Sequence, residues 1–222
     1  MGGPAPRDRA AGRGRVAMVR AFVLLALGGP DPPGPAPCGP APCRVLYARA
    51  FGAPPGAPPG TPPHPADPAR QRLLRKEQLL AVARQVTSQC RLLQSSSGLP
   101  PVPQPPEEPI SLQDAPGGLF RLPPGDPFPQ GVTVAWLSVL AVAFALVCDP
   151  QENLSLAEIT LRRLAPRLLA ALRLLGPGAD VLLRPEAADA VLDRLLPHGQ
   201  MLFLNQAFLQ ALDREMGIKS SR

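Results

Sequence analysis

Residues 132–148, Val-Thr-Val-Ala-Trp-Leu-Ser-Val-Leu-Ala-Val-Ala-Phe-Ala-Leu-Val-Cys, carry no charge and lie between Gly131 and Asp149-Pro150. Such a run is either a short membrane span or a pair of strands buried in a core. A spanning helix needs about 20 apolar residues, and runs near 17 are the lower limit. Val132, Thr133, Val134, Val139, Val142 and Val147 give this one a β-branched density that suits a pleated surface. Its flanks hold Asp126, Asp149 and Glu152 rather than an excess of Lys or Arg. The reading is a buried β-hairpin in a soluble protein, with Ser138 at the bend. The rival is a small single-pass membrane protein with residues 132–148 as the span.

The 33 Pro and 20 Gly of this 222-residue chain are concentrated in two stretches, Gly28 to Pro68 and Leu99 to Pro129. Pro at this density removes backbone donors and excludes both helix and ladder. These stretches read as solvated, disordered insertions, at about 28–42, 52–68 and 99–116. The remainder, rich in Leu, Val and Ala, is long enough for one domain over 18–216 with a real core.

The formal charge of +6 owes part of itself to Arg7, Arg9, Arg13 and Arg15 in the first 17 residues, which read as a disordered basic tail. One Trp and one Tyr leave few platforms on which bases could stack, so no nucleic-acid partner is expected. Cys38, Cys43, Cys90 and Cys148 form no C-x-x-C, and only His64 and His198 could join them, so no zinc site is expected. Reduced thiols in a cytosolic protein are the default. The stretch Ala21–Leu27 mimics the apolar part of a secretion signal, but it equally makes a first strand closed by Gly28-Gly29-Pro30.

Strands are predicted at Val19–Leu27, Arg44–Phe51, Gly118–Leu122 and twice within 132–148. In the second, Val45, Tyr47 and Arg49 alternate with Leu46, Ala48 and Ala50. A helix is predicted over 69–93, where Leu73, Leu74, Leu80, Val82, Ala83 and Val86 recur at helical spacing and Arg70, Arg72, Arg75, Lys76, Glu77 and Arg84 mark the exposed side. A second helix starts at Leu154 with Asn153 as N-cap, contains Pro166 and stops at Gly176-Pro177-Gly178. A short apolar run at 180–183, a helix from Pro185 to about Leu196 and a final segment over 199–216 follow. The order predicts an α+β fold, an antiparallel sheet with helices on its faces.

No catalytic constellation is present. Neither G-x-S-x-G nor a phosphate-cradling glycine motif occurs, and Glu107-Glu108 sit in a Pro-rich loop. No catalytic, cofactor-binding or metal-binding residue is assigned, and the chain reads as a non-enzyme. The second helix carries Leu154, Leu156, Ile159, Leu161, Leu164, Leu168, Leu169, Leu172 and Leu175, more apolar surface than one sheet face covers. Such an excess points to a protein partner, with Leu168 and Leu172 as candidate interface residues facing outward.

Met18-Val-Arg-Ala-Phe22, Cys43-Arg-Val-Leu-Tyr47, the helix 72–86, Trp136-Leu-Ser-Val-Leu140, Phe144-Ala-Leu-Val147, Glu152–Glu158 and Leu196-Pro-His-Gly-Gln-Met-Leu-Phe-Leu-Asn205 occur in this order. In these strings the chain resembles the sigma (small) subunits of the fifth adaptor-protein complex, over about residues 18–216. It departs in the loop 53–68 and in residues 1–17. The resemblance implies a longin-like fold, a five-stranded antiparallel sheet flanked by helices. It implies a non-catalytic subunit of a heterotetramer with two large chains (zeta and beta) and a medium chain (mu), working with spatacsin and spastizin. The implied role is vesicle-mediated protein transport at late endosomes and lysosomes, including endosome-to-Golgi retrieval. The implied location is cytoplasmic and peripheral on those membranes. Related small subunits hold a hydrophobic pocket for dileucine signals. By position its wall would be Val142, Leu164 and Val181, for which core packing is the alternative. A polar residue of that pocket is replaced here by the Gly176-Pro177-Gly178 turn.

Overall fold

The computed structural model describes residues 18–27, 44–51, 68–96, 112, 114–174, 184–202 and 204–217. Five strands form one antiparallel sheet: β1 (Val19–Ala26), β2 (Arg44–Ala50), β3 (Gly117–Leu122), β4 (Val132–Val139) and β5 (Val142–Cys148). Their order across the sheet is β2-β1-β5-β4-β3. Helix α1 (Pro68–Ser96) covers one face; α2 (Leu154–Ala171), α3 (Pro185–Leu195) and α4 (Gln206–Glu215) build the other. This is the five-stranded longin-like α+β architecture that the sequence implies.

The apolar run 132–148 is a hairpin, and no helix among the described residues is long and apolar enough to cross a membrane. Every residue of β4 is buried. Val132, Val134 and Trp136 face α1, whereas Ala135, Leu137 and Val139 face α2. A strand covered on both faces has no polar side to show, hence the unbroken hydrophobicity. The bend lies two residues beyond Ser138. Val139 pairs with Val142, leaving Leu140 and Ala141 as the connection. Ser138 instead ties β4 to the segment before β3. Its amide and hydroxyl both donate to the Pro116 carbonyl, at 2.8 and 3.2 Å. Residues 115–116 therefore belong to the packed fold rather than to an insertion, and Ala115 is buried.

Two register shifts break the alternation expected from sequence. In β1 a shift between Val19 and Ala21 puts Val19 on the α2 face together with Phe22 and Leu24. In β2, Tyr47 pairs with Leu24 but Val45 pairs with Leu25, so Leu46 is the extra residue of a bulge. Val45 then packs toward α1 while Tyr47 packs toward α2, opposite faces rather than the shared one that strict alternation predicts.

Helix α1 begins at Pro68, a residue that suits a first turn because its missing N–H has no intrahelical partner there. Helix α2 begins where Asn153 predicts it, with the side-chain oxygen accepting from the Leu156 amide at 3.1 Å. It runs on through Pro166 to Ala171. The run 180–183, most of the Pro-rich stretches, the Gly176-Pro177-Gly178 stop and residues 1–17 lie outside the described residues. The final segment divides into a 3-10 turn, Pro197–Gly199, and α4, which Asn205 caps through the Phe208 amide. Gly199 is obligatory in that turn. Its φ is +80°, and a Cβ would come within 2.4 Å of the Val19 carbonyl and 2.6 Å of Phe51.

Candidate subunit interface

Helix α2 is the place to look for an unsatisfied apolar surface, and its leucines from Leu161 onward leave none to spare. Leu161, Leu164, Leu168, Leu169 and Leu172 are all buried. The sheet covers one side. Ala188, Val191, Leu192 and Leu195 of α3, with Leu204, Leu209 and Leu212 from the C-terminal segment, cover the others. Leu168 and Leu172, expected to face outward, have no exposed surface at all. The correction has a simple cause. One sheet cannot enclose a helix that is apolar all round, but two further helices of the same chain can.

Polar contacts fix that cover in place. Arg167 on α2 and Asp213 on α4 form an ion pair of 2.7 Å, both side chains about nine-tenths buried. The Arg163 guanidinium donates to the Leu204 carbonyl, and an Arg167 nitrogen donates to the Arg163 carbonyl at 2.7 Å. Arg167 Nε and Asp213 Oδ1 stay without a partner among the described residues, so the carboxylate grips one nitrogen where a fork could grip two. At the other end of this layer, the Tyr47 hydroxyl donates to Asp189 of α3 at 2.5 Å. Arg49 reaches both Asp189 and Asp193. Burial first, and then the Asp189 carboxylate, hold the Tyr47 phenol well above its usual range.

Of the three positions matched to the dileucine pocket, Leu164 is fully buried in the core and Val142 packs at its margin, partly exposed. Val181 lies outside the described residues.

The surface that does expose large apolar side chains is elsewhere. Leu92 and Leu93 lie near the C-terminal end of α1, and Leu140 occupies the tip of the β4–β5 hairpin. Cys90, just before Leu92, approaches Ser138, just before Leu140, so these three leucines mark one end of the sheet. Leu140 is 58% exposed and has a φ of 51°. A two-residue hairpin asks for positive φ at its first position, which Gly or Asn meets at less cost than a leucine. A second group, Ile159, Leu202 and Phe208, lies along the α2 and α4 side, and Leu119 lies on the edge strand β3. Sequence periodicity missed Leu140 because a leucine in an apolar run looks like core. Its unusual turn position shows only in three dimensions.

The family described as AP-5 complex subunit sigma-1 matches residues 18–217. The chain belongs to this family. It is similar to the Homo sapiens protein "AP-5 complex subunit sigma-1", 50% identical over 201 residues that cover 89% of this chain and 96% of that protein. It is similar also to the Mus musculus protein of the same title, 49% identical over 171 residues, 73% of this chain and 93% of that one. The match starts where the described fold starts, at Met18, and ends with α4, so membership rests on the whole longin-like domain. This chain is a sigma subunit of an adaptor complex.

Proposed function

We propose that the chain acts as a non-catalytic docking subunit in vesicle-mediated protein transport at late endosomes and lysosomes, including endosome-to-Golgi retrieval. In this reading it is cytoplasmic and reaches those membranes peripherally, within a heterotetramer of zeta, beta, mu and sigma chains, alongside spatacsin and spastizin. The observation that supports the reading is the family match over 18–217, since the relatives are titled as subunits of a complex. The docking surface on a large subunit is centred on Leu92, Leu93 and Leu140 in place of the buried Leu168 and Leu172. An exposed leucine held in a costly turn conformation is a feature that folding alone does not ask for.

The test is co-precipitation of the full-length chain from cytosol, with partners identified by mass spectrometry. The expected result is recovery of zeta, beta and mu chains. Leu140→Asp should weaken zeta recovery at least tenfold while the melting temperature stays within about 3 °C, because the side chain is already solvated in the free domain. Recovery of no adaptor chain would overturn the reading. Undiminished recovery with Leu140→Asp would move the interface to another surface.

A further inference from the structure

Helix α1 is longer than the sheet it covers. Its 29 residues span about 43 Å, whereas the eight residues of β4 span about 26 Å. Packing on the sheet begins near Leu79 and ends at Cys90. Gln78, whose side chain donates to the Pro127 carbonyl at 2.8 Å, marks the sheet's end. The ten residues before it overhang, and Arg70, Gln71, Arg72, Leu73, Arg75, Lys76 and Glu77 are all exposed.

The overhang changes character on the very face that packs. At 100° per residue, Arg72, Arg75 and Lys76 fall on the same side of α1 as Leu79, Val82, Ala83, Val86 and Cys90. They are exposed because the sheet has run out beneath them, not because they sit on the outer face. Among the described residues, neither they nor Arg70 pairs with a carboxylate. The first turn holds no acidic residue, and cations there oppose the helix dipole. Helix stability is therefore not what these charges serve.

Polar contacts fix this end of the sheet beside the overhang. Met18 bonds Asp149, and Arg20 bonds Gln130 in the β3–β4 connection that also meets Gln78.

We propose that the overhanging face of α1 binds an anionic phospholipid surface, with Arg72, Arg75 and Lys76 meeting headgroups and Leu73, 57% exposed, touching the acyl boundary at the margin of that face. Each Lys or Arg held near an anionic leaflet contributes about 1 kcal/mol of attraction, so the three cations of this face favour such a surface together. A protein partner fits less well. Interface cores are depleted of Lys and Glu, and this stretch exposes Lys76 and Glu77 beside its arginines. Nucleic acid fits less well still, since no aromatic residue lies on this helix. The inference goes beyond the subunit reading and stands without it.

The test floats the full-length chain with phosphatidylcholine vesicles that contain or lack phosphatidylserine. Binding should require phosphatidylserine, weaken with added salt, and fall about a hundredfold in the triple variant Arg72→Glu, Arg75→Glu, Lys76→Glu. All three side chains are exposed, so the variant should keep the parent's circular dichroism and zeta recovery. Leu73→Ala should lower binding a few-fold. Equal binding to both vesicle types, or full binding by the triple variant, would overturn the proposal. Loss of zeta recovery in a folded triple variant would also overturn it, and would assign the face to an acidic protein surface. Lost vesicle binding by the parent chain with intact zeta recovery would sink this inference and leave the subunit reading standing.

Discussion

Helices α1 and α2 lie on opposite faces of one sheet, and each departs from a simple amphipathic stripe in its own direction. Helix α2 has leucines nearly all round and buries those from Leu161 onward, because α3 and α4 of the same chain close over them. Helix α1 has a narrow apolar stripe that packs only from Leu79 to Cys90 and turns basic along the same line toward its start. The comparison teaches that surplus apolar surface on a helix can be answered within the chain, whereas a packing face that becomes charged marks where the domain ends. The two helices therefore predict opposite responses to the same kind of substitution.

The widest gap should come from a matched pair. Leu168→Asp puts an unpaired charge into the core and should cost more than about 4 kcal/mol, enough to leave little folded protein. Arg72→Asp should stay within about 0.5 kcal/mol. Soluble yield and thermal melting of the two variants check this. A folded Leu168→Asp chain would break the comparison outright.

The next effect tests how α4 holds its place over α2. Asp213→Ala leaves the Arg167 guanidinium buried without its carboxylate and should cost about 3–5 kcal/mol. Adding Arg167→Met should recover most of that, since an apolar pair of similar volume often replaces a buried ion pair without loss. A double-mutant cycle in urea measures the coupling. Additive costs would mean that the pair does not act as a unit.

Tyr47→Phe removes one hydrogen bond to Asp189, on the half-buried side of the same layer, and should cost about 1 kcal/mol. Here Asp189 still has Arg49 to face, so the loss stays small.

The effect that is smallest near neutral pH, and grows above it, is a pH dependence. Burial pushes the Cys90 thiol up to about 11 and the Cys148 thiol up to about 12. The folded state thus holds protons that the unfolded state gives up at lower pH. Stability from this source is full below about pH 8.5 and declines as pH rises toward 11 and 12. Urea unfolding across that range checks the sign, and a rise in stability would refute it. At pH 8 both thiols should resist alkylation until the protein is unfolded.

Much of this was legible in the sequence. The hairpin in 132–148 followed from β-branched residues, Asn153 announced its helix, and the element order gave an α+β fold. What escaped depended on long-range packing. Nothing in the leucines of α2 says that Leu204, Leu209 and Leu212, some forty residues later, will cover them. Leu46 looks like any alternating residue until Tyr47 and Val45 find their partners in β1. Arg72, Arg75 and Lys76 read as an ordinary solvated side because only the length of the sheet shows that they continue the packing face.

The position of β1 bears on how the chain is made. Val19–Ala26 is the first strand of this sheet to be synthesised, yet it lies inside the sheet, and Phe22 pairs with Leu146 roughly 120 residues later. At about 5–20 residues per second, its inner edge waits on the order of 10 s for β5. Until then Phe22, Val23, Leu24 and Leu25, all buried in the finished domain, have only the β2 side to pair with. The sheet therefore closes late, when the second half of the chain arrives. A chain that stops before Val142 leaves an open apolar strand edge where the middle of the sheet should be, which is a template for aggregation.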